Sequence, residues 1–193
     1  MPGQVRPVAD ERDSLVAYLA QMRSVITIAA YGLTEEQARA TPSASPLSVG
    51  GLIKHVASTE RGWIDMVLQL PPDGGAQAYE ENFRLADGET LSDVIVGYEK
   101  VAARTEDVIA GIADLDQPVP VPKGVPWFPQ DVDAWSVRWV LLHLIQETAR
   151  HAGHADIIRE SIDGATAFPL MAASEGWPET PWMKPWRAAT QPS

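Results

Sequence analysis

One segment of the sequence, from Trp135 to Gly164, carries four side chains that could bind a metal or transfer protons. They are His143, Glu147, His151 and His154. The segment has no proline, Ser136 is a suitable N-cap and Gly164 a suitable stop, so it is predicted to form one long helix. At about 100° per residue the four side chains fall within an arc of roughly 80° that also carries the apolar residues of the segment. The polar cluster is therefore predicted on the helix face that should be buried.

Glu147 and His151 are four residues apart, so their side chains project side by side from a helix. Burying a carboxylate or an imidazole without a partner is costly, and buried charges are usually paired or bound to a metal. One divalent cation could take both side chains. A hydrogen-bonded Glu–His pair in the protein core is the alternative explanation.

The rest of the chain predicts the elements that must position this segment. Hydrophobic spacing indicates three more long helices, and Thr34 to Ala38 indicates a short helical turn. The long helices are predicted at Val8–Tyr31, from Ser48 to about Leu70, and at about Leu91–Ile112. Residues 76–88 are predicted to be a loop that crosses the bundle. The proline-rich stretch Pro118–Asp133 is predicted as an extended connection, with a short unpaired strand possible at Val119–Val121.

Four long amphipathic helices predict an all-α fold, a four-helix bundle with a long crossover before the fourth helix. We expect this bundle to occupy residues 1–164. Residues 165–193 form a tail rich in proline and tryptophan, with Trp177, Trp182 and Trp186. Disordered segments are poor in aromatic residues, so we expect the tail to pack on the bundle or on a partner subunit in a homodimer. Alternatively, these tryptophans simply cover exposed core.

The second long helix carries the remaining histidine, His55. Gly51 and Gly62 lie within about 60° of it on the same face, and Trp63 flanks that face. A glycine inside a helix costs about 1 kcal/mol relative to alanine, so a close neighbouring helix or a bound molecule is expected beside His55. We predict Gly51, Gly62 and Trp63 to contact a substrate. Tight helix packing is the alternative for each glycine.

Metal sites in helix bundles are commonly built from facing helices, and His55 can face Glu147 and His151. Two imidazoles and one carboxylate leave positions open for water or substrate, as in catalytic metal sites. We therefore predict that His55, Glu147 and His151 bind one divalent metal.

Other polar residues near this predicted site have less certain roles. We predict His154 as a catalytic residue; it could act as a base, orient a ligand or be a fourth ligand, and a structural hydrogen bond is the alternative. His143 is expected to be structural. Arg150 could meet an anionic substrate at the mouth of the site, or be solvated or ion-paired.

Composition excludes several classes of function. A net charge of −11 argues against nucleic-acid partners and against anionic membrane surfaces. The chain has no cysteine, so disulfides and thiolate ligands of its own are excluded. Because neither a signal peptide nor an apolar stretch of membrane-spanning length is found, we expect a cytoplasmic protein. The open positions of the predicted metal site lead us to expect a small-molecule substrate.

Two stretches resemble the DinB-like superfamily of metal-binding four-helix bundles, which includes mycothiol-dependent maleylpyruvate isomerase and bacterial thiol S-transferases. They are SVGGLIKHVASTERGW, which contains His55, and WVLLHLIQETARHAGHADIIRESIDG, which contains Glu147 and His151. The resemblance spans roughly residues 8–164. In that superfamily one histidine on the second helix joins a pair four residues apart on the fourth, often His and His. In the isomerase branch the first of the pair is glutamate, as here.

The resemblance implies zinc as the metal, with nickel as the other candidate, and a small thiol such as mycothiol as cosubstrate. A metal can hold such a thiol as the nucleophilic thiolate at neutral pH. The implied function is a metal-dependent S-transferase or isomerase. A metal-dependent hydrolase or lyase that uses bound water, and a non-catalytic metalloprotein, are the alternatives.

Overall fold

The computed structural model of the protein describes residues 3–71 and 81–188. Its architecture is that of an all-α bundle with a small two-stranded sheet, which confirms the predicted fold class. The elements in chain order are α1 (Glu11–Ile28), α2 (Glu35–Arg39), α3 (Val49–Val67), α4 (Leu91–Gly111), β1 (Pro118–Pro120), β2 (Ala134–Ser136), α5 (Val137–Asp163) and α6 (Ala167–Ser174).

The four long helices, α1, α3, α4 and α5, form the bundle. Helix α5 runs parallel to α1, because Arg138 at its start pairs with Glu11 while Arg159 near its end donates to the carbonyl of Ala29. Helix α3 is antiparallel to α5, since His55 meets His151 and Trp63 meets His143. This arrangement brings the start of α3 beside the second half of α5.

Local capping explains most of the helix boundaries. Ser48, Thr90 and Ser136 each accept a hydrogen bond from a backbone N–H in the first turn of the following helix. The first helix is shorter than predicted from spacing, because the Asp10 side chain caps it and Val8 lies outside. The last bundle helix ends at Gly164, whose φ of 76° is the left-handed conformation that glycine adopts readily.

The connection between α4 and α5 crosses the end of the bundle and contains the sheet. Strands β1 and β2 pair antiparallel, with Val119 opposite Trp135. The prediction of an unpaired strand at Val119–Val121 was therefore wrong. Val119 is buried, and pairing across the loop satisfies backbone groups that an isolated strand would leave open.

The chain beyond the bundle contains a helix, α6, which was not predicted. Later in this segment Trp186 lies against the bundle: its backbone N–H donates to Pro169, and its ring covers the guanidinium of Arg159 at 4.8 Å. Arg159 is itself fully buried. Residues 165–188 thus contact the end of the bundle formed by the last turn of α5 and the segment after α1.

Apolar side chains from all four long helices fill the interior as two clusters, one toward each end of the bundle. Between them lies a layer of buried polar residues, which includes His55, Glu60 and His151. In the described ranges, no helix combines the length and the apolar character needed to cross a membrane.

Candidate metal centre

Three side chains predicted as metal ligands converge between α3 and α5. The Nε2 atom of His151 lies 3.1 Å from Oε1 of Glu147, and Nε2 of His55 lies 3.5 Å from the same oxygen. One ligand atom from each of the three residues falls within 4.8 Å of the others. The one-turn spacing on α5 and the antiparallel packing of α3 produce this convergence.

The cluster is shielded but open on one side. His55 is 2% exposed and His151 is 9% exposed, whereas the Glu147 side chain keeps 22% of its surface accessible. Hydrogen bonding from His151, and then from His55, holds the pKa of Glu147 well below its usual range. Glu147 is therefore ionised at neutral pH and provides the negative charge of the cluster.

The donor set fits a divalent cation. Imidazole nitrogens and a carboxylate oxygen are ligands that zinc and nickel accept. Ligand atoms on one tetrahedral zinc lie about 3.4 Å apart, and both nitrogen-to-carboxylate distances are close to that value. With two neutral imidazoles and one carboxylate, a divalent cation would leave the site with a net charge of about +1.

Phe83 covers one side of His55, and the sequence did not indicate it. The two rings stack with centroids 3.8 Å apart and planes 18° from parallel. Gly51 permits this cover, because a Cβ at that position would collide with the carbonyl oxygen of Phe83. The close approach predicted at Gly51 is therefore made by the chain itself, and the glycine was the only sequence feature that pointed to it.

Gly62 and Trp63 lie two turns further along α3. Gly62 is exposed, and a Cβ there would meet no atom within 4 Å. Trp63 is largely buried, and its ring lies 4.6 Å from that of His143. Tight helix packing does not explain Gly62, whereas Trp63 belongs to an aromatic cluster beside the candidate metal centre.

His143 belongs to a stack of rings along α5. It lies parallel to Trp139, at 5.2 Å and 3°, and Trp139 lies parallel to Trp135, at 4.7 Å and 9°. Burial lowers the pKa of His143, although the nearby Glu147 carboxylate opposes that shift. Sequence reasoning missed this stack, and the four-residue spacing from Trp135 to Glu147 was the pattern that could have found it.

The structure places His154 and Arg150 differently. Nδ1 of His154 lies 3.4 Å from Nδ1 of His151, so His154 touches a predicted ligand on the side away from Glu147. Arg150 is exposed, and within residues 3–71 and 81–188 it has no hydrogen bond or ion pair. His154 therefore lies next to the cluster, whereas the side chain of Arg150 is exposed to solvent.

Comparison with known proteins agrees with this architecture. A family model described as mycothiol-S-transferase matches residues 14–164. A crystal structure described as a conserved protein from Enterococcus faecalis is similar with a TM-score of 0.64 and 15% identity, over 82% of this chain and 100% of that chain. At that identity the likeness shows the fold alone. No curated protein sequence matches the chain significantly.

Proposed function

Because this chain belongs to the mycothiol-S-transferase family, we propose that it transfers a low-molecular-weight thiol of the mycothiol type to a small electrophile. The reaction would take place at the cluster of His55, Glu147 and His151. The observation that carries the proposal is their convergence within 4.8 Å at the interface of two helices, with Glu147 partly accessible. The family description favours transfer over thiol-assisted isomerisation.

In this proposal the three side chains hold one divalent cation, zinc first and nickel as the other candidate. When bound, the cation would lower the pKa of a coordinated thiol and so supply a thiolate at neutral pH. His55 and His151 would contribute neutral imidazole nitrogens, and Glu147 a carboxylate oxygen. Both imidazoles are deeply buried, and metal binding takes a neutral imidazole nitrogen.

His154 would serve as a positioning residue. With a cation in place of the hydrogen bond to Glu147, His151 would donate its Nδ1 proton to Nδ1 of His154, and the lone pair on Nε2 would face the cation. This contact would then fix both the tautomer and the ring orientation of His151. In the transfer itself, the thiol sulfur forms a bond to carbon, the leaving group departs with its electron pair, and the thiol proton passes to water.

The test combines metal analysis with a thiol-dependence assay on the purified protein. We expect about one divalent ion per chain and a conjugation rate that depends on added thiol. His151→Ala and Glu147→Gln should lose both properties, whereas Glu99→Gln, an exposed change on α4, should lose neither.

Two results would contradict the proposal. One is stoichiometric metal in His151→Ala, which would show that the ligand set is wrong. The other is a metal-dependent reaction, such as ester hydrolysis, that proceeds equally well without thiol. The expected cytoplasmic location and homodimer remain predictions.

A further inference from the structure

Two neighbouring cavities open on the surface between the loop before α3 and the segment that covers His55. Among the described residues, the first cavity has a volume of about 420 Å³ and is lined by Pro46, Leu47, Glu81, Phe83 and Arg84. The second, of about 300 Å³, is lined by Arg39, Thr41, Pro46, Ser48, Arg84 and Leu85. Pro46 and Arg84 line both, so the cavities form one groove, which we call the Arg84 groove. Its volume falls in the range of sites for small molecules, roughly 300–1,000 Å³.

Phe83 connects this groove with the candidate metal centre. Its ring lines the first cavity and stacks on His55, with centroids 3.8 Å apart. A ligand in the groove therefore lies next to the centre, with the Phe83 ring between it and His55. The thiol must contact the cation itself, and the accessible side of the centre is at Glu147. The groove is thus suited to the other reactant, the electrophile.

The groove carries positive charge that the protein itself does not neutralise. The side chain of Arg84 is exposed and makes no hydrogen bond or ion pair within the part of the chain that the structure describes. The guanidinium of Arg39 donates to the backbone carbonyls of Leu85 and Glu89, and no described acidic side chain pairs with it. Guanidinium groups bind carboxylates through two parallel hydrogen bonds. A carboxylate is therefore the group that the two arginines favour.

The two cavities differ in what they offer a ligand. Glu81 lines the first cavity, which also has apolar walls from Leu47 and Phe83. Among the described residues, no acidic side chain lines the second cavity, and Thr41 and Ser48 add hydroxyl groups there. The Ser48 oxygen already accepts a backbone hydrogen bond, so its own hydrogen can be donated to a ligand. An anion is expected in the second cavity, and an apolar group in the first.

We propose that the Arg84 groove binds the electrophilic cosubstrate, with a carboxylate of that molecule in the second cavity and its apolar body in the first, against Phe83. This inference rests on the proposed function, since it names the chemical class of the second substrate. For a chloromethyl compound, the thiol sulfur bonds to the methylene carbon, the carbon–chlorine bond breaks, and chloride leaves with the electron pair. The thiol proton passes to water, so no oxidant or reductant is needed.

The first experiment measures binding without catalysis. The probe is 4-methylbenzoate, which has a carboxylate on an apolar ring and no leaving group, and 4-methylbenzamide is its neutral counterpart. We expect calorimetry to show tighter binding of the benzoate, both to the protein as purified and after chelation. Arg84→Gln should weaken benzoate binding about threefold to tenfold, between the loss of an exposed ion pair and that of a charge-assisted hydrogen bond. Added salt should weaken it as well.

Three variants make this measurement specific. Arg84→Lys keeps the charge and should retain part of the affinity. Arg61→Gln is the matched control, because Arg61 is exposed on α3 and lines neither cavity. Arg150→Gln tests the other exposed arginine near the centre, and it should leave benzoate binding unchanged. Arg84 is exposed, so its variants are expected to fold, and urea unfolding of each variant checks this directly.

The second experiment measures the reaction with mycothiol as the thiol. In Arg84→Gln the KM for 4-(chloromethyl)benzoate should rise by the same factor as the loss of benzoate binding. The KM for mycothiol, the kcat and the rate with 4-(chloromethyl)benzamide should stay unchanged. A merely structural role of Arg84 would instead alter the reaction of both chloromethyl compounds.

Several results would overturn the groove. They are equal binding of the benzoate and the benzamide, benzoate binding that survives Arg84→Gln, and benzoate binding that is lost in Arg150→Gln instead. Conjugation with a KM that does not depend on Arg84 would refute the groove and leave the transferase intact. Arg84-dependent benzoate binding in a protein that conjugates no electrophile would support the groove and refute the transferase.

Discussion

Helix α3 contributes a buried polar side chain to each of two clusters, His55 to the candidate metal centre and Glu60 to an ion pair with Arg23 of α1. Both clusters lie in the polar layer of the bundle, and each has two buried members, His55 and His151 in one and Arg23 and Glu60 in the other. They differ in how their charges are balanced. One is a polar cluster that supports the fold, and the other is suited to bind a ligand.

The Arg23 cluster is balanced within the protein. Two nitrogens of its guanidinium donate to the two oxygens of Glu60, at 2.6 and 3.1 Å. The hydroxyl of Thr105 donates to Glu60 at 2.6 Å, and the remaining Arg23 nitrogen donates to Glu106 at 3.0 Å. Every strong donor and acceptor of the ion pair has a partner, so nothing in this cluster calls for a ligand.

The candidate metal centre lacks such a balance. Glu147 is ionised, and in the described part of the chain no lysine or arginine pairs with it. Its neighbours are two imidazoles, which offer lone pairs when they are neutral. A partly buried carboxylate whose neighbours are metal-binding nitrogens is the arrangement that a divalent cation completes.

The largest expected effect is on the balanced cluster. Arg23→Met leaves the carboxylate of Glu60, which is 1% exposed, without its counter-charge. Removal of one partner from a buried ion pair costs about 3–5 kcal/mol, so urea unfolding should show a loss of that size. The metal content of the folded protein should not change.

A double variant separates lost charge balance from lost packing. Arg23→Met with Glu60→Leu removes both charges, and replacement of a buried pair by apolar residues is often nearly neutral. We expect it to recover most of the stability lost in Arg23→Met. If Arg23→Met alone is as stable as the wild type, the ion pair between Arg23 and Glu60 does not stabilise the fold.

The second prediction concerns metal removal. A ligand present at about 100 times its dissociation constant stabilises the folded state by about 2.7 kcal/mol. Chelation should therefore lower the melting temperature of the wild type by several degrees. His151→Ala should melt at the same temperature with and without chelator, whereas Arg23→Met should respond to chelation as the wild type does. If chelation lowered the melting temperature of His151→Ala as much as that of the wild type, the metal would not be bound at this cluster.

The candidate metal ligands could be predicted from the sequence, whereas the Arg23–Glu60 pair could not. The candidate ligands were found because helical spacing is local: Glu147 and His151 are one turn apart, and Ser136 and Gly164 mark the ends of their helix. The bundle followed from four such periodic segments. The family resemblance drawn from the His55 and Glu147 stretches was confirmed by the match over residues 14–164.

Contacts between distant segments could not be predicted in this way. The pairing of Val119 with Trp135 joins two parts of a proline-rich connection, and prolines obscure strand patterns. The stacking of Phe83 on His55 depends on the path of a segment without periodicity. The Arg23–Glu60 pair joins residues 37 positions apart, and nothing in their local sequence distinguishes them from surface charges.

The third prediction uses two glycines of α3 to test how the centre is covered. Gly51→Ala would force the Phe83 backbone away, and overpacking of this kind costs about 1–3 kcal/mol. Gly62→Ala adds a methyl group in open space and should stabilise the helix by up to about 1 kcal/mol. Thermal unfolding of both variants measures the difference. If Gly51→Ala is as stable as Gly62→Ala, the cover by Phe83 is loose, and the centre is less enclosed than its burial indicates.

The smallest expected effect concerns an exposed ion pair, which extends the comparison to the surface. Arg6 pairs with Asp13 at the start of α1, and their side chains are 59% and 26% exposed. The hydrogen bond from Arg6, and then that from the backbone of Ala9, lower the pKa of Asp13 to about 2. A lowered pKa means that Asp13 contributes stability above its unfolded pKa of about 3.9, and that this contribution is lost as the pH falls toward 2.

Asp13→Asn should therefore lower the urea midpoint slightly at about pH 6, and the difference from the wild type should shrink at about pH 3. High salt should shrink it too, because exposed pairs are screened. Asp107→Asn is the matched control, since Asp107 is exposed and has no ion pair among the described residues. An Asp13 effect that does not change with pH would show that hydrogen-bond geometry at the helix start, rather than charge, makes the contribution.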